Sequence, residues 1–122
     1  MLNIKKPLSP HLQVYRLPLT AILSISHRLA GIILGFSYIL FVLFIIMPVF
    51  EVNPYVYIDN IYSKVAMYSV VFALFYHILN GIRHIIWDFG YGFKKNNPIL
   101  SSYLVILLSL GLTFFYIFYN FV

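Results

Sequence analysis

Three apolar runs dominate this 122-residue chain, and each is long enough to cross a bilayer. They cover about residues 20–50, 65–87 and 99–122; the first is most apolar from Leu29 to Phe50, with its helix beginning near Thr20. At 1.5 Å per residue, about 20 residues suffice for a hydrocarbon core of roughly 30 Å. The connections carry breaker chemistry that polar surroundings can solvate: Asn53-Pro54, Asp59 and Asn60 in the first, Gly90, Gly92, Lys94, Lys95 and Asn96-Asn97-Pro98 in the second. Their shortness makes neighbouring helices antiparallel. The expected fold is an all-α membrane protein of three transmembrane helices, one membrane-anchor domain over 1–122 with an irregular, interfacial arm over 1–19.

Composition supports lipid as the solvent. Apolar residues make up 62% of the chain and charged residues 9%, more apolar surface than a soluble domain of this size can hide. The absence of cysteine excludes an iron–sulfur cluster on this chain, a c-type haem attachment and a structural disulfide. The net charge of +5 comes from positives that flank the apolar runs, a membrane-protein pattern that gives no support for nucleic-acid binding.

The arm holds Lys5, Lys6, Pro7, Pro10, His11, Arg16 and Pro18, and ends where Thr20 is placed to cap the first helix. It reads as neither a secretory signal nor a Ser- and Arg-rich transit extension. Lysine and arginine set the orientation. The arm and the second connection are rich in them, whereas the first connection offsets Lys64 with Glu51 and Asp59 and the C-terminal end has none. The N terminus is therefore expected inside and the C terminus outside.

The polar residues within the runs are the candidate functional ones. An ionisable group at the bilayer centre costs roughly 2.5–3.5 kcal/mol, so such groups face a protein interior, a cofactor or water. At 100° per residue, Ser24, His27, Arg28, Gly31 and Gly35 share one stripe of the first helix, and Gly31/Gly35 is a small-xxx-small spacing for close packing. On the second helix His77, Asn80, Gly81, His84 and Asp88 share a face, with Arg83 well off it. The expected depths put Ser24, His27, Arg28, Arg83 and His84 together at the inner interface. His77 lies alone, about 10.5 Å deeper than His84.

A lone imidazole at that depth is either hydrogen-bonded to a neighbouring helix or bound to metal. Two histidines seven apart on one helix cannot take both axial positions of one haem, so a second ligand would come from another chain. The plainer alternatives are a packed histidine at 77, snorkelling for Arg28 and Arg83, and helix packing for the glycines. Tyr and Phe read as lipid-facing bulk and Trp87 as an interfacial belt residue.

Two motifs resemble one family. Pro7-Leu-Ser-Pro10-His11-Leu-Gln-Val-Tyr15-Arg16 with Ser24-Ile-Ser-His27-Arg28-Leu-Ala-Gly31, and His77-x-x-Asn80-Gly81-Ile-Arg83-His84-x-x-Trp87-Asp88-Phe-Gly-Tyr91, are similar to the two signatures of the cytochrome b subunit of succinate dehydrogenase. The resemblance implies a membrane anchor of respiratory complex II, in a bacterial or mitochondrial inner membrane. Its partners would be a second small anchor subunit, an iron–sulfur subunit and a flavoprotein subunit that oxidises succinate. It implies haem b shared between the two anchors, with His77 as axial ligand and His27, Arg28 and His84 in the propionate region. It also implies a ubiquinone pocket lined by Ser24 and Arg28. Arginine offers a fixed fork of donors, and a hydroxyl can donate to a quinone carbonyl. The missing transit extension suits a bacterial or organelle-encoded subunit. Competing readings are a cofactor-free structural anchor of a quinone-linked dehydrogenase or fumarate reductase, and a proton conductor using His77 and His84. The latter is weakened by the lack of Lys, Asp and Glu inside the spans.

Overall fold

The structure, a computed structural model, describes residues 17–51, 53, 60–92 and 97–121. The basic arm over residues 1–16, with His11, and the lysines at 94 and 95 lie outside the described residues. Three α-helices follow one another: α1 over Leu19–Ile46, α2 over Ile61–Asp88 and α3 over Asn97–Phe121. No strand occurs among the described residues. All three helices are long and apolar enough to cross a membrane, as an integral membrane protein requires. Most large apolar side chains face outward, Phe36 at 66% and Phe114 at 70% exposure among them. An aqueous protein of this length would bury such groups, whereas lipid solvates them.

The helix ends correct the sequence expectation in detail. Thr20 does not cap α1. The Pro18 carbonyl accepts from the amides of Ala21 and Ile22, so the helix starts at Leu19 without a side-chain cap, and Thr20 lies inside the first turn. Proline needs no hydrogen-bond acceptor for itself and suits a helix start. The far end of α1 tightens into a 3₁₀ turn, Met47–Phe50, around Pro48, and Glu51 closes it with a left-handed φ of 60°. The second helix begins four residues earlier than the apolar run, because the Asn60 side chain accepts from the Ser63 amide at 2.8 Å.

Gly90 ends α2. The Gly90 amide donates to the Trp87 carbonyl at 2.8 Å and the Tyr91 amide to the Ile86 carbonyl at 3.2 Å, the pair of bonds that a left-handed residue after the helix permits. Gly90 has φ 81°, and a Cβ there would meet nothing within 4 Å. The cost of Gly90→Ala is therefore conformational, about 1–2 kcal/mol. It should lower the unfolding temperature of the detergent-solubilised protein without changing its helix content by circular dichroism.

Small residues bring the helices together. Ala30, Ala73, Tyr76 and Val105 form the buried core, with Leu34, Phe72 and Leu79 packed against it. On α3, Ser102, Val105, Ser109 and Thr113 are buried at helical spacing. Their hydroxyls are satisfied within α3 itself: Ser102 donates to the Pro98 carbonyl, Ser109 to Ile106 and Thr113 to Ser109. A row of small side chains lets helices approach closely in lipid, where no hydrophobic force drives them together.

Candidate functional site

The site lies between α1 and α2, near the end where α1 begins and α2 finishes. His27 and His77 stack with ring centroids 4.1 Å apart and 16° between their planes. Each ring reaches the other helix's backbone: His77 Nδ1 lies 3.2 Å from the His27 carbonyl oxygen, and His27 Nε2 3.1 Å from that of His77. Glycine makes room for the His77 ring, while Gly81 leaves His27 at ordinary contact distance. A Cβ on Gly31 would sit 3.0 Å from His77 Cε1, and one on Gly81 3.6 Å from His27 Nε2. Gly31 thus seats a histidine ring, while Gly35 faces open space.

The expected isolation of His77 is overturned by this pairing. His27 is not at the start of α1 but eight residues in, about 12 Å along the axis. In α2 His84 stands about 6 Å and His77 about 16 Å from that helix's own C-terminal end, which lies beside the start of α1. Antiparallel packing therefore sets His27 between the two levels, and its ring also lies 5.5 Å from that of His84, tilted by 43°. His27 is still no opposing axial partner for His77. Rings stacked side by side at 4.1 Å leave no space for a metal macrocycle between them.

The hydrogen bonds assign the tautomers. A carbonyl oxygen only accepts, so His77 carries its proton on Nδ1 and keeps the Nε2 lone pair. His27 by the same logic is protonated on Nε2. A carbonyl bonded to one ring nitrogen is what orients a metal-ligating imidazole. Among the described residues no group of three or more His, Asp or Glu gathers to hold a bare metal ion.

Ser24 and Arg28 stand one turn apart on α1, the serine half-buried and the arginine exposed. The structure gathers a neighbouring set that sequence reasoning passed over. Tyr76 and Asn80 of α2 both donate to the Leu23 carbonyl, at 3.2 and 3.0 Å, and the Ser26 hydroxyl pairs with the Tyr76 hydroxyl. Tyr76 is buried, contrary to its expected place in lipid. Its position one residue before His77 and one turn before Asn80 was the available signal.

Arg83 turns off the histidine face while staying at the same end of the bundle. It is 4% exposed, and its Nη1 donates to Asn80 Oδ1 at 2.8 Å. Its guanidinium carbon sits 4.1 Å from the centre of the Trp87 ring, which meets His84 edge-on from another side. Being off the histidine face turned Arg83 toward α3 instead of outward to an interface. Asn80, fully buried, bonds α1 with its amide nitrogen and Arg83 with its amide oxygen. Asn80→Ala removes both bonds and strands a buried guanidinium. An unsatisfied charged group costs about 3 kcal/mol, so the unfolding temperature of Asn80→Ala should fall further than that of Gly90→Ala.

Residues 3–116 match the family described as succinate dehydrogenase/fumarate reductase transmembrane subunit. The chain belongs to that family. It is 36% identical to the succinate dehydrogenase cytochrome b556 subunit of Rickettsia felis over 89% of this chain and 88% of that protein. The corresponding subunit of Paracoccus denitrificans is 35% identical over 93% of this chain and 94% of its own length. The cytochrome b560 subunit of Reclinomonas americana is 36% identical over 94% and 83%. Every residue of the site falls inside the family match, so the histidine stack and its glycine seats lie within the body of a succinate dehydrogenase/fumarate reductase transmembrane subunit.

Proposed function

We propose that this chain is the cytochrome b anchor subunit of succinate dehydrogenase, holding haem b with a second anchor and forming part of the ubiquinone-reduction site. The observation that carries it is the state of His77: Nδ1 tied to the His27 carbonyl, Nε2 left with its lone pair. The donor set fits haem b, since this chain would supply one such nitrogen to the iron and another chain the second. The relatives' names, cytochrome b556 and b560, point to the same group. When bound, the haem supplies a one-electron carrier.

The chain's own residues then divide the work. His77 would hold the haem iron, the His27 carbonyl fixing its ring, and His27, Arg28 and His84 would hold the propionates. Ser24 and Arg28 donate to the carbonyl oxygens of ubiquinone, where negative charge grows on reduction. The flavoprotein and iron–sulfur subunits oxidise succinate and deliver the electrons. The end bearing the start of α1 and the finish of α2 faces the cytoplasm or matrix, following the distribution of lysine and arginine. The membrane is the bacterial or mitochondrial inner membrane.

A reduced-minus-oxidised spectrum of the purified complex tests the assignment. A b-type spectrum of a bis-histidine centre, in a complex that also contains flavoprotein, iron–sulfur and second anchor subunits, is the expected result. A haem-free complex with full quinone reduction would leave only the structural-anchor role.

A further inference from the structure

On the side of α2 away from the histidines, α2 and α3 enclose a cleft of about 460 Å³. Its polar residues collect at one end, where α2 finishes and α3 begins: Arg83, Trp87, Asn97 and Ser101. From there apolar side chains, Leu104 and Leu108 among them, line it along α3. Arg83 is buried to 4% exposure, yet its Nε and Nη2 have no hydrogen-bond partner among the described residues. Three of its donors' directions are thus unmet at a place where water does not reach, although Asn80 holds Nη1 and Trp87 covers one face. Buried arginine donors call for an anionic acceptor, above all a planar or tetrahedral oxyanion.

We propose that the cleft binds an anionic phospholipid, with its phosphate on Arg83 at the start of α3 and an acyl chain laid along Leu104 and Leu108. The two ends of the cleft together select the occupant. A free phosphate would satisfy the guanidinium but leave the apolar length unfilled, and a neutral amphiphile would fill the length but leave the charge unmet. The start of α3 adds the positive end of its helix dipole beside the phosphate. The site is separate from the haem and quinone assignments and stands whether or not they do.

The test uses the intact complex, stripped of loosely held lipid by prolonged detergent exchange. Lipid mass spectrometry should find one fewer tightly held anionic phospholipid in Arg83→Gln than in the wild type. Leu104→Trp, which plugs the apolar length from a half-exposed position and leaves Arg83 intact, should show the same loss. Adding phosphatidylglycerol should raise the unfolding temperature of the stripped wild-type complex. Arg83→Gln should need about tenfold more lipid for the same shift, the loss of one charge-assisted contact, and Leu104→Trp should shift little because the acyl chain has no room. Phosphatidylcholine and inorganic phosphate should not reproduce the shift. Equal anionic lipid content in Leu104→Trp and wild type would overturn the proposal even if Arg83→Gln failed to assemble. So would an equal shift with inorganic phosphate, which would make the site one for a free anion, or with phosphatidylcholine.

Discussion

His77→Ala should abolish the b-type absorbance of the complex, not merely shift it. The substitution removes the Nε2 lone pair proposed to ligate the iron, and no other imidazole among the described residues can take over. His27 is held by its own bond to the His77 carbonyl, a backbone contact that survives the change. His84 lies about 10.5 Å from the position of His77 along α2. The structural penalty should be small by comparison. One neutral hydrogen bond, from His77 Nδ1 to the His27 carbonyl, is lost, worth about 1 kcal/mol. The helices should therefore stay folded while the spectrum vanishes. An unchanged spectrum in a folded, assembled His77→Ala complex would remove His77 as ligand. The His27→Ala variant gives a useful contrast, because the His27 carbonyl that orients His77 is retained. Its haem should remain, with altered spectral fine structure or potential.

Arg28→Ala should cut quinone reduction by one to two orders of magnitude while succinate oxidation with an artificial acceptor continues. A hydrogen bond from a charged donor is worth about 1.5–3 kcal/mol, or roughly 10- to 150-fold in rate when the bond matters most in the transition state. The residue is exposed on α1, so its loss should not disturb the fold. Ser24→Ala removes a neutral donor and should cost less, about 2- to 10-fold. Arg28→Lys keeps the charge but not the planar fork, and should recover only part of the activity. If quinone reduction and artificial-acceptor activity stayed equal in Arg28→Ala and Ser24→Ala, the pocket assignment would fail.

The three helices were legible because about 20 apolar residues in a row have few alternatives. Their ends were less so. Asn60 was visible only as a breaker, although its side chain starts α2, and Pro18 displaced Thr20 from the cap. The angular sorting of α2 put His77, Gly81 and His84 on one face, and these do meet α1. Angle says nothing about the sliding register of two antiparallel helices, however. That register brought His27 level with a gap between His77 and His84, and made a pair of what looked like a lone residue. Arg83 illustrates the other limit. A charged residue off the functional face can turn to lipid, to the interface or to a third helix, and only the position of α3 decided among them. The buried hydroxyl row of α3 was readable from the spacing of 102, 109 and 113, but hydroxyls that bond their own helix leave no motif.

The reciprocal seating of His27 and His77 acts as a two-pronged key between α1 and α2. Each helix supplies one prong, its imidazole, and one keyhole, a glycine with a carbonyl nearby. Sliding either helix by a single residue, about 1.5 Å, would pull both prongs out at once. Under the proposed haem ligation, the free edge of His77 would thereby be fixed in height before a second anchor arrived. Assembly would then be a matter of offering a nitrogen at that preset level, with this subunit as the gauge.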